Sequence, residues 1–310
     1  MTVTPEPVLL KPRIDEFLTY CKARNLSPNS VRAYRSDLIQ FVALCGRSEI
    51  LASHISRKLI RRFVLQLNES GGAEPSSVKR KLAAVKNFCK WLGAEGLIEA
   101  GLIESIPGPR RRDRLPDVPK EEQVKKLLDG EIPSVSPERD RIVLELLYGS
   151  GLRASELVGI NLDDFRDRDV LLVRGKSKKE RLVIVSEYAQ AAIKVWLPLR
   201  AKLLAKFKLE TPALLFSVGP NRSVERLEVR SVGRIVKAVA KAKGMDPEVW
   251  HPHLLRHCFG THMHDHGAPL QGVATLLGHA KLSTAQIYTR VSVGRMMQTY
   301  RAAHPHALRS

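Results

Sequence analysis

Asp169-Val170-Leu171-Leu172-Val173 and Arg181-Leu182-Val183-Ile184-Val185 are two short apolar runs, and Arg174-Gly175-Lys176-Ser177-Lys178-Lys179-Glu180 lies between them. Runs this short, rich in β-branched residues, have the composition of strands, and a polar connection containing glycine has the composition of a turn. The stretch therefore predicts a β-hairpin with a strongly basic tip. Its surroundings read as helix. Lys120 to Leu128 and Pro137 to Leu147 have helical periodicity, Ser136-Pro137 forms a cap-and-proline start, and the pattern is mostly helical again from Tyr188 onward. This part of the chain is expected to be mainly α with a small antiparallel sheet.

Upstream, four amphipathic segments fill residues 12–100, with apolar residues three and four apart. Ile14, Phe17, Leu18 and Cys21 make the first stripe, and Val31, Tyr34, Leu38, Phe41 and Val42 the second. The third runs through Ile60, Phe63, Val64 and Leu67, and the fourth through Val78, Leu82, Val85, Phe88 and Leu92. Ser27-Pro28 reads as a helix start and Gly71-Gly72 as a break, so a small helical bundle is expected. Between the halves, Pro107, Pro109, Pro116 and Pro119 disfavour helix, while Arg110, Arg111, Arg112 and Arg114 suit a strand lying along a polyanion. The expected division is a helical domain over 1–106, a Pro/Arg linker over 107–118 and a second domain over 119–310.

Charge narrows the class of partner. Lys plus Arg number 51 against 32 Asp plus Glu, a formal net charge of +19, far more than solubility demands of a 310-residue chain. A polyanion is the natural counterpart. The exposed positions of the helical bundle carry Arg32, Arg35, Arg57, Lys58, Arg61, Arg62, Lys79, Arg80, Lys81, Lys86 and Lys90, which suits a phosphate-tracking surface and equally an ordinary solvated face. With 44% hydrophobic residues the chain is not intrinsically disordered, and no apolar run of membrane-spanning length exists. The N-terminus lacks the marks of a secretory signal, so a cytoplasmic protein is expected. Cys21, Cys45, Cys89 and Cys258 are far apart, with no C-x-x-C pair, and read as core residues.

Three segments carry chemistry. Gly149-Ser150-Gly151-Leu152-Arg153-Ala154-Ser155-Glu156 places an arginine after a glycine turn, with a carboxylate three residues later able to orient it; such helix pairs are also commonplace. Trp250-His251-Pro252-His253-Leu254-Leu255-Arg256 puts His253 and Arg256 on one face at a helix N-terminus, where an anion is favoured. Leu277-Gly278-His279 and Ile287-Tyr288 add a histidine behind a glycine turn and a tyrosine that reads alone as packing or as a reactive phenol. His262-Met263-His264-Asp265-His266 has the residue types of a metal site but lacks a supporting H-E-x-x-H or cysteine partner, and Gly149-Ser150-Gly151 lacks the Lys-Ser/Thr of a nucleotide loop. No metal or cofactor is expected, and His257 is read as a core or supporting residue.

In this order and spacing the segments resemble the tyrosine site-specific recombinases of the lambda-integrase family, and within it the bacterial Xer recombinases. The resemblance covers nearly the whole chain. It implies an N-terminal SAM-like helical bundle followed by a catalytic domain, with Arg153 and Arg256 clamping the scissile phosphate. It further implies Lys176 as the hairpin lysine, His253 and His279 as the active-site histidines, Tyr288 as nucleophile and Glu156 as support for Arg153. Arg110, Arg111, Arg112, Lys178, Lys179 and Arg181 are expected at DNA. The tail, about 293–306 with Arg295, Met296, Met297 and Tyr300, resembles the terminal helix that family members pack into a neighbouring subunit, although packing on its own domain fits equally. The implied partners are double-stranded DNA at a specific recombination site, a homo- or hetero-tetramer and a DNA translocase activator.

The chemistry independently suits this cast. Attack on a phosphodiester builds negative charge on the equatorial oxygens, and planar, permanently charged guanidiniums are suited to hold it. A phenol with an ordinary pKa near 10 needs a neighbouring base, for which His253 is the candidate, and the leaving 5′ oxygen needs a proton, which Lys176 can supply. The implied function is cutting and rejoining of DNA through a 3′-phosphotyrosyl intermediate, in Xer-type resolution of chromosome or plasmid dimers. The alternatives are a phage, transposon or integron integrase, a type IB topoisomerase-like enzyme, and a DNA-binding protein without catalysis.

Overall fold

A computed structural model describes residues 9–44, 51–69, 75–99, 101, 118–175, 180–219, 223–278 and 290–307. The chain divides into two units, Met1–Leu115 and Pro116–Ser310. The boundary falls inside the Pro/Arg stretch, most of which, with Arg110, Arg111 and Arg112, lies outside the described residues.

The first unit comprises helices α1 (Leu10–Ala23), α2 (Pro28–Leu44), α3 (Arg57–Glu69) and α4 (Pro75–Ala94). Each apolar stripe turns inward because burying it is the main favourable term available to so small a bundle. Phe17 meets Phe88 at 5.3 Å between ring centroids, and Phe41 meets Phe63 edge-on at 5.1 Å. Pro28 is the first residue of α2, and the Ser27 hydroxyl accepts from the Ser30 amide at 3.2 Å, a cap that satisfies one otherwise orphaned donor. Arg32, Arg35, Arg57, Lys58, Arg61, Arg62, Lys79, Arg80 and Lys90 are exposed, whereas Lys81 and Lys86 are half-buried. Part of this charge is used internally: Arg80 pairs with the buried Asp37, and Arg35 with Asp15 at 2.5 Å.

The second unit opens with α5 (Glu121–Leu128) and α6 (Pro137–Gly149). From Ile142 to Gly149 every α6 residue is buried, which makes α6 the central helix of this unit. Next come α7 (Ala154–Val158), β1 (Phe165–Asp167), β2 (Val170–Arg174) and β3 (Glu180–Ile184), then the long α8 (Glu187–Phe207), which packs along α6. The remaining elements are β4 (Phe216–Val218), β5 (Val224–Arg226), α9 (Val229–Ala242), α10 (Pro252–Asp265), α11 (Leu270–Leu277) and α12 (Arg290–Ala303). β2 and β3 form the expected antiparallel hairpin, with Val173 opposite Arg181 and Arg174 opposite Glu180.

Several local expectations differ. β1 extends the hairpin to three strands, and β4 pairs with β5 inside the stretch expected to be helical. Pro137 does start α6, but the Ser136 hydroxyl makes no cap bond. His257 is exposed rather than in the core, because it falls on the outer face of α10 between the buried Arg256 and Cys258. Cys21, Cys89 and Cys258 are buried and form no disulfide; Cys45 lies outside the described residues.

The histidines of the His262–His266 run are engaged separately. His262 lies between the Tyr148 hydroxyl (3.0 Å) and the Pro119 carbonyl (2.9 Å), His264 bonds the Ala268 carbonyl and His266 meets Glu121 at 2.6 Å. The terminal helix α12 packs on its own unit. Met296, Tyr300 and Ala303 are buried, and the Tyr300 hydroxyl donates to the Gly149 carbonyl at 2.9 Å. Among the described residues, no helix is long and apolar enough to cross a membrane.

Candidate active site

The loop from α6 to α7 is set by its glycines. Gly151 has φ +59°, and a Cβ there would stand 2.8 Å from the Phe259 ring, so only glycine fits without displacing the core. The turn delivers Arg153 to the N-terminus of α7, where the Glu156 carboxylate reaches back to the Arg153 amide at 2.8 Å. The other carboxylate oxygen takes the Arg153 guanidinium at 2.8 Å.

α10 brings the second arginine. Pro252 is its first residue, and the His251 ring nitrogen Nδ1 accepts from the Leu254 amide at 3.1 Å as N-cap. Burial lowers the His251 pKa, with help from His253 and Lys237, which favours the neutral ring an acceptor must be. His253 is exposed in the first turn, and Arg256 follows one turn later, only 6% exposed. Arg256 donates to the Gly151 carbonyl and, at 2.5 Å, to the Leu277 carbonyl, and lies 3.6 Å from Glu156. It therefore ties the Arg153 loop to the end of α11.

Arg181, expected at the DNA surface, is turned inward instead. It is 8% exposed and donates to both Glu156 oxygens, at 2.9 and 3.4 Å, and to the Leu276 carbonyl at 2.5 Å. The reason is register: in β3 the buried face holds Arg181 and Val183, while Glu180 is exposed. Sequence reasoning missed this because a basic hairpin tip suggests a solvated surface, although period-two alternation already placed Arg181 with Val183.

Three guanidiniums thus converge on one carboxylate whose side chain is 1% exposed. Burial pushes the Glu156 carboxyl upward, but hydrogen bonds and charge from Arg181, together with the Arg153 backbone and side chain, outweigh it and hold Glu156 below the usual carboxylate range. For Arg256, burial and then repulsion from Arg153 and Arg181 exceed the attraction of Glu156 and bring its pKa down to about 9. The cluster is cation-rich and short of anions. Its outlet is the Arg153 side chain, which is 36% exposed. Such a site suits a tetrahedral oxyanion whose oxygens can take planar guanidinium donors.

The structure brings together Arg153, Glu156, Arg256 and Arg181, with His253 one turn before Arg256. Lys176, Lys178, Lys179, His279 and Tyr288 lie outside the described residues.

Residues 118–295 match the Phage integrase family, and residues 14–96 match the Phage integrase N-terminal SAM-like domain. The chain is 36% identical over 290 residues to the tyrosine recombinase XerC of Pseudomonas syringae pv. syringae (strain B728a), covering 92% of this chain and 93% of that protein. It is 33% identical over 305 residues to tyrosine recombinase XerC of Salmonella typhi, covering 97% and 98%. Among solved structures, a lambda integrase dimer bound to a COC′ core site superposes with a TM-score of 0.67 at 17% identity, over 90% of this chain and 99% of that one. XerH recombinase in a post-cleavage complex with palindromic difH substrate gives 0.66 at 20% identity, over 92% and 82%. At these identities the structures establish a common fold.

Proposed function

Because the chain belongs to the phage integrase family and is a site-specific tyrosine recombinase most like the Xer enzymes, we propose that its arginine cluster holds the scissile phosphate of double-stranded DNA while Tyr288 attacks it. The observation that carries this reading is the convergence of Arg153, Arg181 and Arg256 on the single carboxylate Glu156, an excess of fixed positive charge that a phosphodiester would relieve. Arg153 and Arg256 supply donors to the non-bridging oxygens, and His279 adds another. Their guanidiniums are already oriented by Glu156 and by the Gly151 and Leu277 carbonyls, so little reorganisation accompanies the charge that develops during attack.

In the reaction, the Tyr288 oxygen bonds to phosphorus and the bond from phosphorus to the 5′ oxygen breaks. His253 takes the phenolic proton and Lys176 gives one to the departing oxygen. The phosphotyrosyl ester retains the energy of the broken bond, and a 5′-hydroxyl from a second strand reverses the step. The exposed arginines and lysines of α2, α3 and α4, the Pro/Arg linker, and Lys178 and Lys179 at the hairpin tip are assigned to backbone phosphates. Four protomers act on two sites, in resolution of chromosome or plasmid dimers in the cytoplasm with activation by a DNA translocase.

The test uses duplexes selected from a random pool by binding to the full chain, labelled and nicked in a tiling series, then resolved by denaturing electrophoresis. A covalent adduct that Tyr288→Phe abolishes while binding persists is the expected result. A wild-type protein that never forms the adduct overturns the reading, and relaxation of plasmids lacking any selected site would point to a nicking-closing enzyme.

A further inference from the structure

Arg181 is anomalous for a residue beside a basic hairpin tip. Its side chain, 9% exposed, leaves β3 toward the interior and meets three separate segments. Through Nε and Nη2 it grips both oxygens of Glu156, the carboxylate that orients Arg153. Through Nη1 it takes the Leu276 carbonyl, in the last turn of α11. That carbonyl has no partner within its own helix, and a cation there also meets the negative end of the helix dipole. The neighbouring Leu277 carbonyl is held the same way by Arg256.

The stem of Arg181 is equally constrained. Gly278 caps α11 in a left-handed conformation, φ +67°, and a Cβ at that position would stand 2.6 Å from the Arg181 Cδ. The glycine preceding His279 is thus packed directly on this arginine. One guanidinium therefore ties the hairpin that carries Lys176, the carboxylate beneath Arg153, and the helix end that leads to His279.

The geometry points to Arg181 as a positioning residue of the recombinase reaction, a buried brace that sets the hairpin, the Arg153–Glu156 pair and the end of α11 in one arrangement without touching DNA. The inference rests on the reading of the cluster as the phosphate site. A fork of donors is required: an ammonium at the same place keeps the charge but cannot span a carboxylate and a carbonyl in a planar pattern. Loss of the brace should misplace groups on three segments by fractions of an ångström to about an ångström, which is enough to cost about 100-fold in rate.

The experiment compares wild type, Arg181→Lys and Arg181→Gln on the nicked, selected duplexes described above. Three readouts are taken: the rate of covalent adduct formation, the salt dependence of noncovalent binding, and thermal unfolding. Both variants are expected to cleave about 100-fold more slowly while their log–log salt slopes stay at the wild-type value. If Arg181 contacted a phosphate, Arg181→Gln, which removes the charge, would instead reduce the slope by about 0.9. Arg181→Gln is further expected to move the basic limb of the cleavage pH profile upward, because Arg181 is among the charges that lower the pKa of Arg256. General loss of stability would not move that limb. In a Glu156→Gln background the effect of Arg181→Gln should largely vanish, since the two act as one unit.

A reduced salt slope, or near-normal cleavage by folded Arg181→Lys, overturns the inference while leaving the phosphate-site reading intact. Absence of adduct from the wild type refutes that reading instead. If Arg181→Gln does not fold, Arg181→Lys, which retains charge and stem, decides the matter by its cleavage rate: a loss of about 100-fold supports the brace and near-normal cleavage overturns it.

Discussion

Replacing Glu156 by Gln would remove the negative charge from beneath three guanidiniums and put an amide donor where donors already converge. The carboxylate accepts the Arg153 amide and side chain at 2.8 Å each and Arg181 at 2.9 and 3.4 Å, with Arg256 at 3.6 Å. With its side chain 1% exposed, water cannot substitute for these bonds. Breaking a buried ion pair by deleting one partner costs about 3–5 kcal/mol, because the other charge is left uncompensated. At about 2–4 °C per kcal/mol for a unit of this size, the catalytic-unit transition should fall by roughly 6–20 °C.

The pH dependence has a definite sign. Glu156 is held below the ordinary carboxylate range when folded, so its stabilising contribution is complete above the unfolded value of about 4.3 and is lost as pH falls through the depressed native value. The gap in melting temperature between wild type and Glu156→Gln should therefore be constant from about pH 8 to pH 5 and close below about pH 4. Circular dichroism melts across that range test both parts. A variant melting within about 2 °C of wild type near neutrality, or a gap that widens in acid, would refute the claim that this carboxylate carries the cluster's charge balance.

Phosphate should restore full charge to Arg256, whose pKa is about 9 in the free protein, so DNA affinity should decline above that pH in wild type and not in Arg256→Met; parallel anisotropy profiles would contradict this. Gly278→Ala forces a left-handed alanine against the Arg181 stem and should destabilise the unit by at least about 1–2 kcal/mol, read as a lower melting temperature; an unchanged melt would show that the turn relaxes freely. Truncation before Val293 uncovers the surface occupied by Met296 and Tyr300, so the monomer should lose thermal stability as well as any tetrameric synapsis. An unaltered monomer melt would mean that α12 contributes nothing in cis.

Two of the motifs were legible in sequence because each depends on local geometry. Arg153 to Glu156 is one helical turn opened by a glycine, and His253 to Arg256 is another opened by proline. The β2–β3 hairpin was legible for the same reason, since period and turn chemistry act over a few residues. The strands β1, β4 and β5 were not. Each is three residues long, and their pairing answers to the surface beneath them more than to intrinsic propensity. His251 as an N-cap was missed because imidazole is an unusual acceptor there; the signal available was its place immediately before a proline that starts a helix.

What no local pattern reveals is how these turns are fastened to one another. The Gly149–Arg153 loop is held on one side by Tyr300, which donates to the Gly149 carbonyl from α12, and on the other by Arg256, which donates to the Gly151 carbonyl from α10. Arg181 then joins Glu156 to α11. The partners are 151, 105 and 95 residues apart, so each contact closes a long loop and depends on the whole core being formed. Arg153 therefore has no fixed position except in the folded unit, and its orientation is coupled to wherever α12 lies. If α12 moves to a neighbouring subunit in the assembled enzyme, the Gly149 carbonyl must find the same hydroxyl from another chain or lose its donor, because a buried carbonyl without a partner is costly. Occupancy of the surface that α12 covers and readiness of Arg153 are then a single equilibrium.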